Sequence, residues 1–267
     1  MKALFIGDII GRPGRTAVKE ILPEIQRKHT PDIIIANGEN AAGGFGITPE
    51  IARELISLGI DVITSGNHIW DKKEIYGYLN EEPRILRPLN YPEGAPGKGA
   101  GLFSTAKGRA IGVINIEGRV FMNTIDCPFR AADKAIKELR DSTPVIIVDM
   151  HAETTSEKAA IALYLDGRVS ALIGTHTHVQ TSDERVLANG TGFITDAGMT
   201  GPVDSCIGVK KELVIQRFLA QTPVRFDVAI EGLEFQGVFL TIDEGTGKTL
   251  SIERIKKGYP TQKAVSR

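Results

Sequence analysis

The chain has 267 residues, 42% hydrophobic and 24% charged, with a formal net charge of −1. That balance is ordinary for a globular protein with a substantial core, and the near-neutral charge gives no footprint for an extended nucleic-acid backbone. Two cysteines, Cys127 and Cys206, without a Cys-x-x-Cys pair argue against a disulfide framework and against a cysteine-type zinc site.

The first third alternates strand and helix. Ala3–Ile6 is a short apolar strand, too short for a signal-peptide core before Asp8 ends it. Arg15–Lys28 has helical spacing at Val18, Ile21, Leu22 and Ile25, and Ile33–Ala36 is a second buried strand. Thr48 then reads as an N-cap before Pro49, opening a helix that stops at Gly59. Asp61–Thr64 is a third strand and Asp71–Leu79 a further helix. This alternation predicts βαβ units and a largely parallel sheet.

In the middle, residues 88–100 are rich in Pro and Gly and read as a loop. Leu102–Thr105 and Ala110–Ile116 pair around Lys107-Gly108; a helix over Ala131–Arg140, a strand over Val145–Val148, a helix over Glu157–Leu165 and a strand over Val169–Ile173 follow. Later, Arg185–Leu187 and Gly192–Thr195 flank Asn189-Gly190, a hairpin signal. Lys211–Leu219 is helical, and Val224–Ile230 with Leu233–Ile242 reads as a hairpin around Glu231-Gly232. Gly245-Thr246-Gly247-Lys248-Thr249 looks like the end of a P-loop, but Ile242 stands where that motif needs glycine. A hairpin turn is expected there. No linker or repeat divides the chain, so one domain over 1–267 is expected, with a frayed basic tail from 253. No run approaches a transmembrane span; a cytoplasmic protein with no membrane partner is expected.

Chemistry collects after the strands. They end in Gly7-Asp8, Asn37-Gly38-Glu39-Asn40, Ser65-Gly66-Asn67-His68, Asp149-Met150-His151 and Gly174-Thr175-His176-Thr177-His178. In open α/β sheets the carboxyl ends of the strands form the ligand-binding edge. Imidazole, carboxylate and amide oxygen together suit a pair of transition-metal ions, and one carboxylate such as Glu39 can serve both. Singly, each motif has an ordinary reading: Asp8 as a helix N-cap, Gly66-Asn67-His68 as a turn. Four of the five histidines at such junctions make the joint coincidence poor. Only His29 falls outside, at a helix end where a solvated or dipole-facing role is expected. Asp8 and Glu39 bring two negative charges, so two divalent ions leave the site near +2, suited to a phosphate ester. Arg12 is placed on a phosphate or in solvent; Thr181, Asp196 and Thr200 line the pocket or form turns and caps.

These motifs, Gly66-Asn67-His68 and Gly174-x-His176-x-His178 above all, resemble the calcineurin-like metallophosphoesterase superfamily. The common Asp-x-His is absent, since Ile9-Ile10 follow Asp8, and the second motif is Gly38-Glu39-Asn40. With Gly7–Arg15, Asn37–Gly44 and Thr195-Asp196-Ala197-Gly198-Met199-Thr200-Gly201, those departures resemble one bacterial branch, the YmdB-like phosphodiesterases, over nearly the whole chain. The resemblance implies a four-layer α/β/β/α sandwich with mixed, largely parallel sheets. It also implies two transition-metal ions, iron first and manganese or zinc next, and phosphodiesterase activity on substrates that include 2′,3′-cyclic nucleotides. Carried over residue by residue, one ion takes Asp8, Glu39, Asn40 and His178. The other takes Glu39, Asn67, His151 and His176, with Glu39 bridging.

The mechanism expected of such a site is attack by a metal-bridging hydroxide, with His68 as general acid. Two alternatives remain at this point: a phosphomonoesterase using the same site, and a low-turnover regulatory or RNA-associated metal protein. RNA is not indicated by the charge, and a homo-oligomer is left open.

Overall fold

A computed structural model of the chain describes residues 1–259. β1 (Lys2–Ile6) leads through a two-residue strand β2 (Asp8–Ile9) into α1 (Gly11–His29), then β3 (Ile33–Asn37), α2 (Pro49–Ser57), β4 (Val62–Thr64), a 3₁₀ turn at Asn67–Trp70 and α3 (Ile75–Glu81). β5 (Ala100–Ser104), β6 (Ala110–Glu117), α4 (Pro128–Arg140), β7 (Ile146–His151), α5 (Thr155–Leu165) and β8 (Ala171–Thr175) follow. The last elements are β9 (Arg185–Val186), β10 (Gly192–Ile194), β11 (Met199–Pro202), α6 (Lys211–Ala220), β12 (Leu233–Ile242) and β13 (Thr249–Gly258).

Two sheets form. One runs β2-β11-β12-β1-β3-β4 with β13 on the other side of β12; the second runs β5-β6-β7-β8-β10-β9. Parallel pairs join β1-β3-β4, β2-β11 and β6-β7-β8-β10, and antiparallel pairs β1-β12, β11-β12, β12-β13, β5-β6 and β9-β10 complete the sheets.

Side-chain alternation explains the layers. Phe5, Ile33, Ile35 and Val62 of the first sheet meet Ile111, Val113, Ile147 and Ile173 of the second in one shared core. The opposite faces carry the other parity. Leu4, Ile6, Ile34 and Ile63 pack under α1, α2 and α3; Ile114, Ile146, Val148 and Leu172 pack under α4 and α5. The result is the expected four-layer α/β/β/α sandwich.

Continuing the inward-facing rows of β3, β4, β6, β7 and β8 by two residues reaches Asn37, Thr64, Asn115, Asp149 and Thr175, all fully buried. The apolar core between the sheets therefore ends in a polar layer at the carboxyl ends of the parallel strands. The loops that follow stand on this layer.

Several expectations change. Val224–Ile230 is not a strand; only an isolated bridge joins Val209 and Val228. Both sides of β12 are already taken, by β1 and β11 on one and β13 on the other. The hairpin partner of β12 is β13, and the Gly245–Lys248 segment is its turn, with Gly247 N–H donating to Asp243 O at 2.8 Å. Residues 253–258 lie in β13 and do not fray, because they pair with Glu234–Phe239; residues 260–267 lie outside the described ones. α3 begins at Ile75, not Asp71, since Lys72-Lys73-Glu74 offers no apolar face and Asn67–Trp70 is drawn into its own turn. Conversely α1 begins at Gly11, a turn before Arg15. Asp149–His151 and Gly174-Thr175 close β7 and β8 rather than following them. Thr48 caps α2, its hydroxyl accepting from Ile51 N–H at 3.4 Å, with Pro49 at the first helical position. No helix of the described residues is long and apolar enough to cross a membrane.

Candidate metal centre

The parallel strands bring the predicted residues together. His151 Nε2 lies 3.1 Å from Glu39 Oε1, 3.1 Å from Asn67 Oδ1 and 3.0 Å from His176 Nδ1. A ring nitrogen has one proton or one lone pair, so it satisfies one of these three groups at most. Four electron-rich atoms around one point is the arrangement a cation holds together. Glu39, His151 and His176 offer ligand atoms within 4.8 Å of one another.

A second group adjoins the first through Glu39. Asn40 Nδ2 is 3.0 Å from Glu39 Oε1 and 3.3 Å from His178 Nε2, which lies 3.6 Å from Asp8 Oδ1. Asp8 Oδ2 accepts from the His176 N–H at 3.2 Å. Asp8, Glu39 and His151 are fully buried, and Asn40 nearly so. Yet Asp8 Oδ1 and Asn40 Oδ1 have no hydrogen-bond partner. Buried polar atoms are rarely left so.

The electrostatics carry the same message. Burial opposes ionisation of Asp8, but His178 and His151 hold it down at about 2. Burial also opposes charge on His151 and His178, but Glu39 raises the former to about 9, and Asp8 raises the latter to about 9. His176 moves the other way, to about 3, through burial and the neighbouring His151. Two buried carboxylates thus favour positive charge beside them. The donor set, the orphaned oxygens and this demand for positive charge fit a pair of divalent ions.

Each histidine is also held from behind. His151 Nδ1 is 3.0 Å from Thr175 Oγ1, which donates to Asp149 Oδ1 at 2.7 Å, and Asn37 Nδ2 donates to Asp149 Oδ2 at 3.2 Å. His176 Nε2 lies 3.1 Å from Glu153, and His178 Nδ1 donates to Ile207 O at 2.9 Å. These contacts leave Nε2 of His151, Nδ1 of His176 and Nε2 of His178 facing the cluster. Partners of this kind fix the tautomer and orientation of a ligating histidine. Burial raises Asp149 to about 7.

The loop carrying His176 and His178 is strained: both have positive φ, 98° and 63°. Such conformations in non-glycine residues cost about 1–3 kcal/mol each and persist only where the surroundings fix them. Asp196 does so. Its Oδ2 accepts from Thr177 N–H at 3.1 Å and Thr177 Oγ1 at 2.7 Å, and Lys158 Nζ donates to it at 2.8 Å with both side chains buried. Asp196 is therefore a clamp behind the loop, not a pocket lining. Thr200 bonds the Gln236 carbonyl, Thr181 bonds Asp196, and Arg12 is exposed, outside the cleft lining. Gly66 is required by close approach: a Cβ there meets the His151 ring and Glu39 Oε2.

His68 stands at the rim. Its N–H donates to Glu39 Oε2 at 3.1 Å, and its Nδ1 lies 3.0 Å from Asp71 Oδ2, a carboxylate that can only accept. Its side chain is 30% exposed. A cleft of about 320 Å³ joins His68 to Glu39, Asn40, His176 and His178.

Of the supporting residues, Asp149 and Thr175 stand in the strand-end motifs without an assigned role there, and Glu153 is not among those motifs. Asp149 carried a signal, a carboxylate inside an apolar strand two residues before His151 and so on the same face. Glu153 had none.

A family model described as YmdB-like protein matches residues 4–255. A Bacillus subtilis 2′,3′-cyclic-nucleotide 2′-phosphodiesterase is 51% identical over 255 residues, 96% of each chain. A Thermus thermophilus structure superposes with a TM-score of 0.91 at 42% identity, covering 97% of this chain and 100% of the other. A structure from Mycoplasma pneumoniae, described as a novel phosphatase, superposes with a TM-score of 0.90 at 34% identity over 97% and 93%.

Proposed function

The chain belongs to the YmdB-like family, of metallophosphoesterase fold, and on that premise we propose that it is a dinuclear metal-dependent phosphodiesterase hydrolysing 2′,3′-cyclic nucleotides. It is a phosphoric ester hydrolase, as its relatives are named. The observation that carries the reading is the sharing of Glu39 between two ligand groups. Asp8, Asn40 and His178 stand on one side of it and Asn67, His151 and His176 on the other.

In this reading Asp8, Glu39, Asn40 and His178 hold one ion, and Glu39, Asn67, His151 and His176 hold the second. A half-turn of the Asn40 amide brings its orphaned Oδ1 to the side of Glu39 and His178. Two such ions supply Lewis-acid neutralisation of phosphoryl charge and a nucleophile at neutral pH. The mixed nitrogen and oxygen donors suit iron, with manganese or zinc as alternatives. The protein's part is orientation: Asp149–Thr175, Glu153 and the Ile207 carbonyl keep the three imidazoles aimed, and the Asp196 clamp keeps their loop in place. His68 is assigned as the proton donor to the leaving oxygen. Asp71 accepts from its Nδ1, leaving Nε2 as the working atom. One domain over the chain and a cytoplasmic location complete the reading; the unpaired thiols Cys127 and Cys206 support the latter.

The test is relative turnover of bis- and mono-p-nitrophenyl phosphate and of a 2′,3′-cyclic nucleotide by the metal-loaded protein. Diester and cyclic-nucleotide hydrolysis is expected to dominate; a strong monoester preference would replace the proposal with a phosphomonoesterase.

A further inference from the structure

One wall of the cleft takes no part in holding ions. Phe45, Ile207, Phe226 and Val228 line the same cleft as Glu39, Asn40 and His178. Phe45 is 38% exposed and Ile207 52% exposed, so apolar surface faces the opening. Beyond the ligand cluster, the charged side chains at this cleft are Glu153 and Asp227; no Lys or Arg is among its described lining residues.

Residues 226–228 are held in position. Val228 fills the space that the absent Cβ atoms of Gly11 and Gly44 would occupy. Lys210 N–H donates to Asp227 O at 3.0 Å and Ala229 N–H donates to Gly208 O at 2.9 Å. The Arg217 guanidinium lies over the Phe226 ring, 5.8 Å from its centre. Phe45 is fixed edge-on to His68, ring centres 5.0 Å apart. The wall is therefore built before a ligand arrives.

We infer that the wall carried by Phe226 and Phe45 is a subsite for the uncharged base of a nucleoside whose cyclic phosphate sits at the ligand cluster. The inference rests on the cyclic-nucleotide reading above and adds the part of the substrate recognised. An aromatic wall suits any base, because every base has a π face. A cleft of about 320 Å³ lies within the range of small-ligand sites.

Phe226 is the clean probe, because Phe45 also touches His68. Steady-state kinetics of the metal-loaded full chain are compared on adenosine 2′,3′-cyclic phosphate and on methyl riboside 2′,3′-cyclic phosphate, which lacks a base. The chain prefers the nucleotide, and Phe226→Ala lowers the ratio of the two kcat/KM values about tenfold. Tenfold is about 1.4 kcal/mol, within the range of one base–aromatic stack. Phe226→Trp keeps the preference, which separates a lost ring from a damaged fold. Adenosine binding, which needs no turnover, weakens about tenfold in Phe226→Ala. Equal use of the two esters by the unsubstituted chain, or an unaltered ratio in Phe226→Ala, overturns the subsite. Adenosine binding that depends on Phe226 in a metal-loaded protein that hydrolyses no cyclic nucleotide supports the subsite and overturns the phosphodiesterase reading instead.

Discussion

Glu39 Oε1 lies 3.1 Å from His151 Nε2, with both side chains fully buried. Burial opposes charge on Glu39, but His151 holds its carboxyl below the usual range. The same carboxylate meets Asn40 through Oε1 and the His68 N–H through Oε2. Glu39→Gln keeps the shape and removes the charge that both ligand groups share. Elemental analysis of this variant after metal reloading should find fewer ions per chain than in the unsubstituted protein. Equal occupancy would remove Glu39 from the bridging role.

Asp149 reaches the cluster through Thr175, whose hydroxyl links it to His151, and through Asn37, whose amide donates to its other oxygen. Thr175→Val and Asp149→Asn should each weaken metal binding about 10–100-fold, the usual cost of losing a partner behind a ligating histidine. Competition against a coloured chelator reads this directly. Unchanged affinity in both variants would make the chain of contacts structural.

His68→Ala should retain both ions and lose turnover, by about 10²–10⁴-fold for esters with poor leaving groups. The loss should shrink for p-nitrophenyl esters, whose leaving oxygen needs little protonation. The measurement is kcat on the two substrate types with metal content determined on the same samples. A uniform loss across both would count against proton donation.

What the sequence revealed follows from where the information sits. Strands such as Ile33–Asn37 and Ala171–Thr175 are locally apolar, and the polar motifs that end them sit beside them in the chain. The residues of the candidate site were therefore legible. The β1–β12 pairing was not, since Lys2 meets Thr241 across most of the chain and no local period records it. Val224–Ile230 has the composition of a strand, but Val228 packs down onto Gly11 and Gly44 instead of pairing along its length. The Asp196–Thr177 clamp was hidden for a similar reason, because 19 residues separate a strained loop from the carboxylate that fixes it.

His29 tests a smaller point. It ends α1, where the helix dipole favours a protonated ring, yet its ring packs 4.8 Å from Phe239. Burial and then Lys28 lower its pKa from the usual 6.5. The folded state then prefers the neutral ring. The associated stability is present above 6.5 and is lost as pH falls through the lower, folded pKa. Proton NMR titration of the His29 ring should give a midpoint below 6.5. A midpoint above it would show the dipole outweighing burial.

The central claim is that paired ions at Asp8, Glu39, Asn40, Asn67, His151, His176 and His178 make this chain a phosphodiesterase. Metal content and turnover of adenosine 2′,3′-cyclic phosphate, followed together through chelation and reloading, test it most directly. The account predicts two ions per chain, loss of turnover as they are removed, and its return as they are restored. Turnover that survives complete removal of metal would contradict it.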